Sequence, residues 1–306
     1  MAASGVSLGE PMSGITRREA MKLVGAGMAA LPAGDAFAKP RAKDDLAPRL
    51  AAGAPQSPER QALIEDFEKK SDGLDKRFEK RTHKSDRQVP YRLFRPEAEG
   101  KLPLVLYLCG SGGLGDDNEK QLAFGNIFGT RVWLLPENLA RFPSFVVAPQ
   151  TDRGWAKYDL TQEEDGKAKV VSGLGDGSRW ALEIVDELRR ELPIDERRIY
   201  IAGQSMGGAG VWNVLAGRPG FFAAAMVCCG SRSTETGTES LSTPMWAFHG
   251  DADTTVPVSM TRNRMAARRA AGGHPLYTEY ARVDHDCWRW AFTEPELVKW
   301  TFAQRR

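Results

Sequence analysis

The run Ile199-Tyr200-Ile201-Ala202-Gly203-Gln204-Ser205-Met206-Gly207-Gly208-Ala209-Gly210-Val211-Trp212 decides how this chain is read. Its first half is apolar and rich in β-branched and aromatic residues, as a buried strand requires. It then enters G-x-S-x-G, and residues 211–216 continue as helix-compatible sequence. Strand, sharp turn and helix are the setting of a nucleophile elbow. The glycines have a steric reason, because strand and helix must close on each other around a serine held in a strained turn. Such a turn lifts the Ser205 hydroxyl clear of a sheet and aims the Met206 N–H at the same spot. Taken alone, the pentapeptide reads equally as a glycine-rich turn with an incidental serine, so the rest of the chain has to decide.

A chain of 306 residues with 42% hydrophobic content can build one large α/β core or two modest domains. The net charge of +2 offers no concentrated basic face, so nothing electrostatic argues for nucleic acid. No apolar run in the body of the chain approaches a membrane span. Cys109, Cys228, Cys229 and Cys287 lack any C-x-x-C spacing, so zinc is not suggested.

The first segment reads as an address. Thr16-Arg17-Arg18-Glu19-Ala20-Met21-Lys22 is a twin-arginine pattern; a Gly/Ala-rich apolar stretch over 23–33 and Ala36-Phe37-Ala38, an A-x-A cleavage signature, follow it. The expectation is a twin-arginine signal over 1–38, a mature start near Lys39, and a periplasmic or secreted protein. The competing reading is an ordinary amphipathic helix. Residues 39–76 read as a linker followed by a helix that starts at Ser57-Pro58-Glu59, a serine cap with proline in the first turn. Leu63, Ile64 and Phe67 are expected on one face of it.

Residues 77–306 read as a single α/β domain. Two short strands are expected over 78–83 and 88–95, joined by Ser85-Asp86, and a buried strand over 102–108. That strand empties into Cys109-Gly110-Ser111-Gly112-Gly113-Leu114-Gly115, which matches G-x-G-x-x-G and raises a dinucleotide site. Such a site wants an acid at the end of the next strand. The next strand, over 144–148, ends instead in Pro149-Gln150. The other use of a glycine-rich loop after a strand is to offer backbone N–H groups to an anion. Helices are expected over 117–124 and 178–192, with a polar loop over 151–177 carrying Trp155 and Tyr158. Trp155 is a candidate substrate contact, or else a hydrophobic plug under the loop. Strands over 223–228, 245–249 and 277–283 alternate with helices over 259–271 and 288–303. That alternation predicts a mostly parallel, doubly wound sheet.

A serine hydroxyl needs a base, and the base needs an orienting group. Of four histidines, His83 lies on an early strand, His249 reads as part of a turn, and His274 falls at the N-terminal edge of the sheet. His285 follows the 277–283 strand at the C-terminal edge, where Ser205 also belongs and where ligands of such sheets bind. For the acid, the loop after 245–249 offers Asp251 and Asp253, and the residues alone do not choose between them. The order Ser, Asp, His is the one found in α/β-hydrolases.

From about residue 78 to 303 the chain resembles the esterase branch of the α/β-hydrolase superfamily, near polyhydroxybutyrate-depolymerase-like and feruloyl-esterase-like carboxylesterases. The resemblance rests on the elbow at 203–207, on His249-Gly250-Asp251-Ala252-Asp253-Thr254-Thr255-Val256-Pro257, and on Asp284-His285-Asp286-Cys287-Trp288. It implies Asp253 as the acid and a backbone oxyanion hole from Ser111 and Met206. The chain departs from the family in having Cys109 where histidine is usual, which should alter the packing beneath the hole but not its backbone donors.

The implied chemistry is acyl transfer by a serine hydrolase on a small-molecule or polymer ester, without metal or organic cofactor. One rival is a prolyl-oligopeptidase-like peptidase, which shares this catalytic domain. Another is a non-catalytic binding protein on the same scaffold. The acyl and alcohol parts of the substrate and the oligomeric state are not readable. All four cysteines should fall at the C-terminal edge of the sheet, either as buried thiols or with Cys287 bridged to Cys228 or Cys229.

Overall fold

The computed structural model describes residues 57–163, 168–230 and 237–306. The expected signal and linker, over 1–56, lie outside the described residues. Helix α1 (Pro58–Ser71) opens with Ser57 as its cap, the Ser57 hydroxyl accepting from the Arg60 N–H. Its buried residues are Arg60, Ile64, Phe67 and Ser71, one stripe at helical spacing. Leu63, expected with Ile64 and Phe67, sits off that stripe and is 37% exposed.

Strands β1 (Glu79–Lys84) and β2 (Gln88–Phe94) form an antiparallel hairpin. Strand β3 (Leu102–Leu108) is buried at all seven positions, the pattern of a strand covered on both faces. The helix expected over 117–124 does not form. Asp117 Oδ1 accepts from the N–H groups of Glu119 and Lys120, which makes a turn, and Phe124 adopts a left-handed φ of 54°. Helices α2 (Asn126–Arg131) and α3 (Pro136–Arg141) come later, before β4 (Phe145–Pro149). The loop expected over 151–177 contains a separate antiparallel pair, β5 (Ala156–Glu163) and β6 (Ala168–Leu174). Residues 156–161 alternate apolar and polar, so β5 carries a strand pattern that the loop reading passed over, whereas Val170-Val171 followed by Ser172-Gly173 breaks the alternation in β6.

The remainder follows the expected alternation: α4 (Asp176–Glu191), β7 (Ile194–Gln204), α5 (Met206–Gly217), β8 (Ala224–Cys228), β9 (Met245–Gly250), α6 (Val258–Ala270) and β10 (Leu276–Tyr280). Strand β10 stops short of the expected Val283, just before Arg282 turns left-handed. The last helix is two, α7 (Trp288–Ala291) and α8 (Leu297–Ala303). Pro295 between them supplies no N–H to continue the first. Among the described residues, no helix is long and apolar enough to cross a membrane.

The main sheet runs β1-β2-β4-β3-β7-β8-β9-β10. From β4 to β10 every neighbouring pair is parallel, and β2 joins β4 antiparallel. The chain leaves β3 for β4 on one side and returns as β7 on the other, so the strand order reverses at β3. Such a reversal opens a crevice at the C-terminal strand ends. The register pairs Leu108 with Gly203, Gln204 with Cys228, Cys228 with Phe248, and Gly250 with Tyr280. The loops after β3, β7, β8, β9 and β10 therefore start level with one another along one edge.

Candidate active site

Ser205 is the hinge between β7 and α5, at φ 53° and ψ −119°. For a serine this is a strained conformation, of the order of 1–3 kcal/mol, and it persists only where the surroundings over-determine it. They do so here. A Cβ on Gly203 would collide with the backbone of Gly207, and one on Gly207 with the Leu108 carbonyl, so neither position admits a side chain. The Ser205 N–H is taken by the Cys228 carbonyl at 2.8 Å. Held this way, the Ser205 Oγ lies 2.8 Å from His285 Nε2.

On the far side of that ring, His285 Nδ1 lies 2.8 Å from Asp253 Oδ2. A carboxylate only accepts, so Nδ1 carries the proton and Nε2 is free to accept from the serine hydroxyl. The other carboxylate oxygen, Oδ1, accepts the N–H groups of Thr255 at 2.8 Å and Val256 at 2.7 Å. Burial raises the Asp253 pKa, but its hydrogen bonds from His249, His285 and Val256 outweigh that and hold the carboxyl well below the usual range. Asp251 does a different job in the same turn, accepting the Arg282 N–H at 2.5 Å. Of the two aspartates left open by the residues, the geometry brings Asp253 to the imidazole.

Three residues that sequence reading did not assign complete this arrangement. His249, read as part of a turn, is fully buried and presents Nε2 to Asp253 Oδ2 at 3.1 Å and to the Val256 carbonyl at 2.9 Å. Both partners accept, so Nε2 carries its proton, and Nδ1 accepts from the Thr261 hydroxyl at 2.8 Å. Asp253 thus serves two imidazoles. Asp284 Oδ1 accepts the N–H groups of Thr254 and His285, both at 2.8 Å, and so laces the loop after β10 to the loop after β9. Trp288 stands edge-on to the His285 ring with centroids 5.4 Å apart. The D-H-D-C-W and H-G-D-x-D strings were the signal for all three.

The loop after β3 turns as a 3₁₀ piece, Ser111–Gly113, directly beside the elbow. A Cβ on Gly110 would stand 3.6 Å from the Ser205 Cβ. Asn126 Oδ1 accepts the Gly110 N–H at 2.9 Å, and Gln150 Nε2 donates to the Gly113 carbonyl at 3.1 Å. Gln150 is the residue that stands where a dinucleotide site would want an acid; here it clamps the loop. Met206 is the first residue of α5, so no carbonyl of its own helix receives its N–H. Cys109 is fully buried and packs under Gly113 of the same loop. Phe124, at 64% exposure, lies against Gly112 on the outer side of the loop.

Trp155 does not fit a substrate contact. It is fully buried, its Nε1–H donates to the Cys109 carbonyl at 2.9 Å, and its side chain packs on Gly210 of α5. A large ring with one donor is well satisfied under a loop, and this one is the plug rather than the contact.

A mostly parallel sheet with a strained serine at the reversal of strand order, and histidine and aspartate on later loops of the same edge, is an α/β-hydrolase fold. Known proteins agree on that fold. No family model matches the chain. A thermostable esterase superposes with a TM-score of 0.68 at 32% identity, over 76% of this chain and 64% of that one. A ferulic acid esterase gives a TM-score of 0.54 at 16% identity, over 74% of this chain and 98% of that one. An acylaminoacyl peptidase gives 0.51 at 16% identity, over 74% of this chain and 42% of that one. In sequence, 118 residues are 26% identical to a bifunctional acetylxylan esterase/xylanase of Neocallimastix patriciarum, 38% of this chain and 16% of that protein. The chain thus spans about one sixth of that curated relative and just under two thirds of the thermostable esterase.

Proposed function

We propose that the chain is a serine carboxylic-ester hydrolase acting through an acyl-enzyme. The observation that carries this is the continuous chain from Ser205 Oγ through His285 to Asp253, with both links at 2.8 Å. Ser205 attacks the ester carbonyl while His285 Nε2 takes its proton. The N–H groups of Ser111 and Met206 hold the oxyanion, each worth about 3 kcal/mol of barrier if it acts as such donors usually do. His285 returns the proton to the leaving alcohol, and water then clears the acyl group by the same route in reverse roles. The thermostable esterase at 32% identity and the acetylxylan esterase relative support an ester as substrate; the type we propose is a polysaccharide-linked acyl or hydroxyalkanoate ester. A fluorophosphonate probe should label Ser205 stoichiometrically. A panel of p-nitrophenyl esters, feruloyl sugars, acetylated xylan and hydroxybutyrate oligomers, with an aminoacyl anilide as the peptidase arm, reads the substrate. Absence of labelling would return the chain to the binding-protein reading.

The site also sets a pH dependence. Burial lowers the His285 pKa, yet the neighbouring Cys229 sulfur and the Asp253 carboxylate together outweigh it and the net shift is upward. Burial raises the Cys229 thiol, which leaves Asp253 as the ionised neighbour. The reaction needs neutral His285, so the acid limb of kcat/KM is expected above the ordinary imidazole value of about 6.5. Stability runs the other way. A raised imidazole pKa stabilises the fold below the unfolded value and ceases to do so as pH rises through the folded one. The depressed Asp253 contributes above the unfolded carboxylate value and is lost in acid. The Tm advantage of wild type over Asp253→Asn should therefore be largest between about pH 4 and 6.5, below the pH of fastest turnover. An acid limb below 6, or a Tm difference that is flat with pH, would contradict this assignment.

Export by the twin-arginine route, with removal of residues 1–38, belongs to the same proposal. Arg17→Lys combined with Arg18→Lys is expected to leave the protein in the cytoplasm, because the pathway reads the arginine pair. Mass spectrometry of exported protein should find a start near Lys39; exported protein that still carries 1–38 would refute the cleavage.

A further inference from the structure

Three of the four cysteines meet directly behind the His285 loop. The Sγ atoms of Cys228, Cys229 and Cys287 all lie within 4.8 Å of one another, and all three residues are buried. Within the group the sulfurs have different partners. Cys228 Sγ and Cys287 Sγ are in contact at 3.3 Å. Cys229, left-handed at φ 40°, turns its Sγ to the carbonyl of His285 at 3.4 Å. Cys109 stays apart, under the loop after β3. The contact joins the last residue of β8 to the residue two beyond the histidine, across 59 positions of chain.

We propose that Cys228 and Cys287 are a cross-linking site: in an oxidising medium they join as a disulfide that fastens the His285 loop to the end of β8, while Cys229 and Cys109 remain thiols. A disulfide sulfur pair stands about 2.05 Å apart, so closure from the observed contact needs about 1.3 Å of approach. Burial raises the Cys228 thiol. At Cys287 the same burial is outweighed by hydrogen bonds from Cys228 and Cys229, which lower it, so Cys287 ionises first. With a small-molecule disulfide as oxidant, the Cys287 thiolate attacks one of its sulfurs and releases one thiolate, which takes up the proton Cys287 gave. Cys228 Sγ then attacks Cys287 Sγ and expels the second reagent sulfur, which leaves with the Cys228 proton. Two protein thiols are oxidised and one reagent disulfide is reduced to two thiols. The buried pair reacts while the chain folds or when the loop lifts.

The bond ties down a loop that the proposed mechanism needs, and only its effect on rate rests on that mechanism. The test takes wild-type chain refolded with a mixture of reduced and oxidised glutathione. It is denatured without reductant, alkylated and weighed. The expected product carries two alkyl groups, on Cys109 and Cys229, with a Cys228–Cys287 linked peptide after digestion. Four alkyl groups, or a link through Cys109 or Cys229, overturns the proposal. In activity, the oxidised form should outlast the reduced form at elevated temperature by about tenfold or more, since a cross-link over a long loop restricts the unfolded chain. Its kcat/KM at 25 °C should change by less than about twofold, as expected of a link that restrains the loop without touching the reacting atoms. Cys109→Ser should keep that difference between oxidised and reduced forms, and Cys287→Ser should abolish it. If the linked peptide forms but no ester is hydrolysed by wild type, the proposed function fails and the cross-link stands.

Discussion

Ser205→Ala and His285→Ala are each expected to reduce ester turnover by about 10⁴- to 10⁶-fold, and combining them should reduce it hardly further. The members of such a group act as a unit. Without the hydroxyl there is no acyl-enzyme, and without the imidazole the hydroxyl keeps its proton at neutral pH. What should survive is the contribution of binding and of the proposed Ser111 and Met206 N–H donors, which neither substitution removes. Ser205→Ala should leave the fold unchanged, because the restraints on residue 205 come from the glycines around it and from the Cys228 carbonyl, all of which remain; His285→Ala keeps the secondary structure but gives up the pair with Asp253 and with it some Tm. Single-turnover kinetics on a p-nitrophenyl ester, with circular dichroism as the control, make the measurement. Turnover of Ser205→Ala within tenfold of wild type would remove serine chemistry from the account.

The second large effect separates the two aspartates. Asp253→Asn is expected to lose about 10⁴ in kcat, because an amide can offer Nδ1 an N–H and favour the wrong tautomer of His285. It also loosens His249, whose Nε2–H shares the same carboxylate oxygen. Asp251→Asn keeps an oxygen for the Arg282 N–H and is expected to hold kcat within about tenfold, with a Tm lower by a few degrees. Measuring both variants side by side decides the matter, and the reverse ranking would move the acid role to Asp251.

The strands that carry the site are apolar and buried where they reach it, so β3, β8 and β9 could be placed from sequence within a residue or two; β7 ends where expected but starts at Ile194, five residues before the apolar run, because Asp195-Glu196-Arg197-Arg198 hide its first half. Loop positions followed from strand ends, which is why His285 could be reached by elimination. Asp253 could not be reached that way. Which of two carboxylates meets an imidazole depends on where a turn folds back, and Asp251 and Asp253 differ only in that; the resemblance supplied the choice. His249 was missed because a histidine at a strand end has the same pattern whether it faces solvent or a carboxylate. The β5–β6 pair was missed although residues 156–161 alternate, because its partner β6 does not and the whole stretch is polar and glycine-containing; the helix over 117–124 was misread because Asp117 and Phe124 bend the chain locally. Trp155 illustrates a general ambiguity: an aromatic in a polar stretch can be a contact or a plug, and only burial tells them apart.

The common register of β3, β7, β8, β9 and β10 sends every loop of the site to one edge of the sheet, and the opposite edge is left with short connections such as 97–101 and 271–274. Lys101 and the Ala271-Gly272 tip are exposed there. That asymmetry makes the molecule suited to oriented immobilisation. A support coupled through a single cysteine introduced by Ala271→Cys, where the backbone is not left-handed and the four natural cysteines are buried, holds the protein by its back. The reactive edge then faces the liquid, where an insoluble polymer can be brought up to it instead of having to diffuse in.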